Sequence, residues 1–178
     1  MNVIESRIDG VKLLHPRVFE DERGFFLETY TKESYQQILN TELNFVQDNH
    51  SRSYKHVLRG LHFQTSRPQG KLVRVVRGKV FDVAIDIRPE SPTFGQWEGV
   101  YLDEADKAQF WLPPGLAHGF VVLSDYADFE YKCTDYYDPA GEACLLWNDP
   151  DIGIEWPVES PLLSPKDAQG KLFKEIFR

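Results

Sequence analysis

Cysteine is scarce. Cys133 and Cys144 are the only two in 178 residues, and their spacing fits neither a zinc motif nor a redox pair. They cannot supply a disulfide framework, and two reduced, partly buried thiols in a cytoplasmic protein are expected. Long apolar runs are missing too: none approaches the roughly 18–20 residues of a membrane span. The opening Met-Asn-Val-Ile-Glu-Ser-Arg-Ile-Asp lacks a basic-then-apolar pattern, so no secretory leader is expected. Gly-rich phosphate loops, Gly-x-Ser-x-Gly and Cys-His nucleophile patterns are absent. There is no internal repeat, low-complexity tract or linker, and the length suits one domain over residues 1–178. A net charge of −8 disfavours general nucleic-acid binding.

Acidic residues are themselves missing from one stretch. Between Asn49 and Phe81 there is no Asp or Glu, yet Arg52, Lys55, Arg59, Arg67, Lys71, Arg74, Arg77 and Lys79 all fall there. A basic island in an acidic chain points to a local anion site rather than to adhesion to polyanions. The same stretch holds His50, His56 and His62. Arg59 and His62 are three apart, which in a regular strand puts them on opposite faces. A bend at Gly60 is needed to bring them together.

What is present reads mainly as strands. Residues 1–14 predict two short strands turned at Asp9-Gly10, and Phe25–Tyr30 a third after the turn Asp21-Glu22-Arg23-Gly24. Then the period changes: Thr31 is expected to cap a helix with Tyr35, Ile38 and Leu39 as its apolar face, ending near Asn40. Leu72–Val76 and Val80–Ile87 are expected to pair as a hairpin around Arg77-Gly78-Lys79. In the second, Phe81, Val83, Ile85 and Ile87 face one way and Asp82, Ala84 and Asp86 the other. Further strands are expected at 99–102, 108–112, 116–123, 128–137 and 145–147. Ser164-Pro165-Lys166-Asp167 is a helix start with a Ser cap and Pro at the first position. Many short strands argue an all-β sandwich or barrel, and a jelly-roll barrel with a ligand-sized mouth suits the spacing.

The residues favour acid–base chemistry on an anionic ligand. A metal-binding barrel would want a second histidine where His62-Phe63-Gln64 stands, so no metal is expected. Histidine as a residue type changes charge near neutral pH, so His62 suits a general base. Tyr131 shares a strand face with Phe129 and Cys133 and reads equally as core. His118, after Pro-Pro-Gly, is a turn residue or a ligand contact. Lys71 is a surface lysine or a site cation, and Asp167 is already explained as a helix cap.

Together these segments resemble one family. Asp21-Glu-Arg-Gly-Phe-Phe26, Gln47-Asp-Asn-His-Ser51, Leu58-Arg-Gly-Leu-His-Phe-Gln64, Gln69-Gly-Lys-Leu-Val-Arg-Val75 and Val80-Phe-Asp-Val-Ala-Ile-Asp-Ile-Arg88 are similar to the dTDP-4-dehydrorhamnose 3,5-epimerases. So are Pro113-Pro-Gly-Leu-Ala-His-Gly-Phe-Val121, Tyr131-Lys-Cys-Thr-Asp-Tyr-Tyr137 and Leu146-Trp-Asn-Asp-Pro-Asp-Ile-Gly-Ile-Glu-Trp-Pro157. The resemblance runs from about residue 2 to Asp167. It implies a cupin-type jelly roll with short flanking helices, a homodimer, and no metal or organic cofactor. It also implies a substrate, dTDP-4-dehydro-6-deoxy-D-glucose, inverted at C3 and C5.

Carried over by position, the resemblance makes His62 the base, Asp167 its carboxylate partner, Tyr131 the general acid and Lys71 the lysine near the C4 oxygen. Arg23 and Arg59 would bind diphosphate, and Tyr137 would stack on thymine. Glu28, Gln47, Asn49, His118, Glu142 and Lys166 would make further ligand contacts. A related enzyme inverting only C3 or only C5 would use the same groups. A non-catalytic sugar-nucleotide-binding barrel would keep Arg23, Arg59 and Tyr137 but not both His62 and Tyr131. A metal-dependent barrel enzyme would need ligands that this chain lacks.

Overall fold

The computed structural model describes residues 1–177 and contains thirteen strands and three short helices among them. The strands are β1 (Asn2–Glu5), β2 (Lys12–His15), β3 (Val18–Asp21), β4 (Gly24–Leu27), β5 (Gln47–Tyr54), β6 (Leu58–Gln64) and β7 (Lys71–Arg77). They continue with β8 (Lys79–Asp86), β9 (Trp97–Asp103), β10 (Gln109–Leu112), β11 (Leu116–Val122), β12 (Tyr126–Cys133) and β13 (Glu142–Cys144). The helices are α1 (Lys32–Leu39), α2 (Pro165–Ala168) and α3 (Phe173–Ile176). One sheet has the order β1-β2-β10-β7-β12-β5 and the other β13-β6-β11-β8-β9, while β3 and β4 pair only with each other. Two antiparallel sheets face to face, with consecutive strands crossing between them, make a cupin-like jelly roll.

Three apolar layers follow. The inner core joins both sheets through Val73, Phe110, Phe129, Val80, Ala84 and Phe120. A second layer lies outside the smaller sheet, where Phe81, Val83, Ile85 and Ile87 are covered by Trp156, Phe173 and Phe177 of the C-terminal segment. The third lies under α1, where Tyr35 and Leu39 pack on Leu14, Leu72 and Trp111. The alternation expected in β8 is therefore real, but both faces are buried. Its small and acidic face, Asp82 and Ala84, looks into the barrel, and its apolar face looks out.

Several expectations need correcting. Arg77-Gly78-Lys79 is not a hairpin, because β7 and β8 belong to different sheets. Gly78, at φ +83, turns the barrel corner so tightly that a Cβ there would lie 2.2 Å from the Tyr126 carbonyl oxygen. The strand expected at 128–137 starts at Tyr126 and stops at Cys133. The one expected at 145–147 lies three residues earlier, as β13, and Leu145 makes a single parallel bridge to Lys171. Helix α1 stands where its period put it and ends at left-handed Asn40, but the Thr31 side chain makes no cap hydrogen bond. Ser164 does cap α2, accepting from the Asp167 amide at 3.1 Å.

Candidate active site

The site is built around an irregularity in β6. His62 stands opposite His118 and Arg59 opposite Phe120, so three steps along β6 match two along β11. This bulge puts Arg59 and His62 on one face, the face that looks into the barrel. Gly60 (φ +130) makes it possible, and the Gly60–Leu61 peptide is cis. A Cβ on Gly60 would lie 2.5 Å from the Gly119 Cα and 2.8 Å from the His118 carbonyl oxygen. The bend anticipated at Gly60 is this bulge.

His62 shares a 2.5 Å hydrogen bond between its Nε2 and the Asp167 carboxylate. Asp167 is buried on α2. Burial works against its charge, but the bond from His62 and others from Ser164 and the Gly60 backbone hold its carboxyl below the usual range. Tyr131 lies on β12, in the opposite sheet from His62. Burial pushes its phenol up and keeps it protonated. The Lys71 ammonium is 5.9 Å from the Tyr131 ring centre. Burial pushes that ammonium down, opposed by Cys133, Asp82 and Glu142.

His62, Lys71, Tyr131, Tyr137 and Glu142 line one cleft. At its mouth half-exposed Tyr137 donates from its hydroxyl to Glu142 at 2.7 Å and from its amide to Gln47 at 2.9 Å. Glu142 also pairs with Lys166. Gln47 donates to Asn49 at 3.2 Å, and Asn49 reaches the Cys133 sulfur at 3.7 Å. Arg59 donates to the Ser53 hydroxyl at 2.8 Å. Deeper in the barrel, buried His118 is 2.9 Å from the Asp82 carboxylate, which burial pushes up. An imidazole–carboxylate pair on one wall and a protonated phenol on the other can remove a proton from one side of a ligand and return one from the other.

The sequence profile described as dTDP-4-dehydrorhamnose 3,5-epimerase matches residues 5–175. A protein of that name from Salmonella typhimurium is 56% identical over 179 residues, covering 99% of this chain and 98% of its own. The chain belongs to the dTDP-4-dehydrorhamnose 3,5-epimerase family. A 3,5-epimerase from Legionella pneumophila, crystallised with dTDP-4-keto-L-rhamnose, superposes with a TM-score of 0.96 at 55% identity, covering 98% of this chain and 94% of that one. A dTDP-4-dehydrorhamnose 3-epimerase from Streptomyces niveus is 41% identical, over 94% of this chain and 82% of its own.

In this epimerase two of the residues singled out from sequence stand apart from the cleft. Arg23 sits at the tip of the β3–β4 hairpin, its side chain 86% exposed and paired with Asp21. Glu28 is exposed just past β4. Two neighbours went unnoticed in the sequence. Asp82 reads as the polar side of an alternating strand, and its inward direction was the missing signal. Cys144 has no motif of its own. It stands opposite His62 in the β13–β6 register, and His62, Cys144 and Asp167 bring three metal-ligating atoms within 4.8 Å of one another. No helix among the described residues is long and apolar enough to cross a membrane.

Proposed function

We propose that this isomerase inverts both C3 and C5 of dTDP-4-dehydro-6-deoxy-D-glucose, giving dTDP-4-dehydro-L-rhamnose, a step in dTDP-L-rhamnose biosynthesis. Both carbons lie α to the C4 ketone, so loss of either proton leaves a delocalised enolate. His62 takes the proton through the ring nitrogen not bonded to Asp167. Asp167 fixes the ring and supports the imidazolium, as the carboxylate of a catalytic triad does. Tyr131 donates its phenolic proton to the other face of the same carbon, and exchange with solvent resets the pair. Lys71 faces the C4 oxygen, and the enolate charge restores what burial takes from the ammonium. The observation that carries this reading is that His62 and Tyr131 reach one cleft from opposite sheets. No cofactor is needed.

Arg59 binds the diphosphate and Tyr137 stacks on thymine. Gln47, Asn49, His118, Glu142 and Lys166 complete the ligand contacts. Arg23 and Glu28 act from a second copy of the chain in a homodimer. The support is the isolated β3–β4 hairpin, which exposes Phe19, Phe25 and Phe26 by 50%, 59% and 70%. A bare aromatic arm of this kind fits an interface, and it carries Arg23 at its tip. Two free thiols suit a cytoplasmic setting. A second reading, inversion at C3 alone, has as its support the 41% identity to the Streptomyces niveus 3-epimerase, against 56% to the Salmonella typhimurium 3,5-epimerase. Incubation with the 4-dehydro sugar nucleotide in deuterated water, followed by NMR, separates them. Deuterium at both C3 and C5 with inverted product supports the first reading, and deuterium confined to C3 supports the second.

A further inference from the structure

The thiol of Cys144 has no part in the proton transfers above, yet it stands beside the two groups that begin them. Its Sγ is 3.9 Å from the same Asp167 oxygen that meets His62 Nε2 at 2.5 Å. Burial pushes the thiol up to about 11, so it rests protonated. The three donors are an imidazole nitrogen, a thiol sulfur and a carboxylate oxygen. That set suits a borderline-soft ion such as zinc and not calcium or magnesium, which prefer oxygen.

We propose that His62, Cys144 and Asp167 form an inhibitory zinc site, in which the ion replaces the proton shared by His62 and Asp167. Bond lengths of about 2.0–2.3 Å to N, O and S place tetrahedral donors about 3.3–3.6 Å apart. The His62–Asp167 edge must open by about 1 Å, the sulfur–oxygen edge must close by a few tenths, and the sulfur–nitrogen edge, which lies within 4.8 Å, must close to about 3.6 Å. The His62 side chain is 31% exposed, and water would complete the tetrahedron. On binding, the Cys144 thiol loses its proton to solvent as the Zn–S bond forms. The His62 ring turns its Nε2 lone pair to the metal and carries its proton on Nδ1. No electron is transferred. Asp167 is held at the start of α2 by Ser164, whose hydroxyl accepts from the Asp167 amide at 3.1 Å. Inhibition follows because the ion takes the imidazole and its carboxylate together, and this part rests on His62 being the base.

The test uses chelator-treated full-length protein, titrated separately with Zn2+ and Co2+. Calorimetry with Zn2+ should give one site per chain, and Co2+ should produce a thiolate charge-transfer band. Turnover should fall as the site fills and return with chelator. Cys144→Ser and Cys144→Ala should turn over normally without metal and bind zinc at least about a hundredfold more weakly, more than loss of an outer-shell partner costs. Their inhibition should weaken in step. No stoichiometric binding in the native chain, or binding and inhibition unchanged in both variants, overturns the site. Binding that is lost in the variants but leaves native turnover untouched keeps the metal site, and refutes inhibition and the role of His62 as base.

Discussion

Replacing Gly60 by alanine tests whether the β6 bulge builds the site. Gly60 sits at φ +130, and an added Cβ would lie 2.5 Å from the Gly119 Cα. Ordinary contact begins near 3.4 Å, so the two strands must separate by about 1 Å. The backbone conformation alone costs an L-residue about 1–3 kcal/mol, and crowding in a packed interior adds about 1–3 kcal/mol. Gly24 provides the control. It has nearly the same dihedral, φ +124, but nothing of its own chain lies within 4 Å of its Cβ position. Gly24→Ala therefore carries the conformational cost without the crowding. At about 2–4 °C per kcal/mol for a chain of this size, Gly60→Ala should melt about 2–12 °C below Gly24→Ala in a circular-dichroism scan. A displacement of about 1 Å at His62 and Arg59 should also cut turnover about a hundredfold. Equal melting of the two variants, with native turnover in Gly60→Ala, would refute the argument from crowding.

Arg59→Ala removes a charged hydrogen bond worth about 1.5–3 kcal/mol. Calorimetry should show dTDP binding about ten- to a hundredfold weaker, and unchanged affinity counts against Arg59 as the diphosphate ligand. Asp128 is buried and takes two 2.7 Å bonds from Arg52, which hold its carboxyl down at about 2. A depressed carboxyl stabilises the fold above its unfolded pKa near 3.8, and that contribution fades as pH falls from about 4 to 2. Because Arg52 is 55% exposed, solvent screening reduces the contribution to about 1 kcal/mol. Asp128→Asn should lower denaturant stability by that amount at pH 7 and by much less near pH 2.5; a gap that persists in acid contradicts the ion pair. Removing Phe25 and Phe26 as serines takes away about 1.5–3 kcal/mol of apolar burial for each if they lie in a dimer interface. Sedimentation should then show monomer where the native chain is dimeric, and an unchanged distribution excludes the hairpin as the contact.

Strand periodicity and helix spacing were legible because they are local. The alternation of β8 between two apolar layers and the helical spacing of Tyr35 and Leu39 both stand in the structure. Which sheet a strand joins is not local. The residues around Gly78 look the same whether β7 and β8 pair or part, and only the packing of the remaining strands decides. The direction of β8 was hidden for a related reason. Its apolar face is covered by a segment some seventy residues later, with Trp156 against Phe81, so the acidic face turns inward and delivers Asp82 to His118. Resemblance named His62 and Asp167 across 105 residues, but no spacing rule places Cys144 beside them. The opposite register of β13 and β6 does that.

The central claim is that His62 and Tyr131 act on opposite faces of one enolate. Solvent exchange in two variants measures it, with unchanged circular-dichroism melts as the control for folding. His62→Ala should admit no deuterium at C3 or C5. Tyr131→Phe keeps the ring and loses only the phenolic proton, so His62 still forms the enolate and returns a proton to the face it came from. Deuterium should then enter unconverted substrate while inverted product forms slowly or not at all. Near-native product formation in Tyr131→Phe, or exchange persisting at both carbons in His62→Ala, would contradict the account.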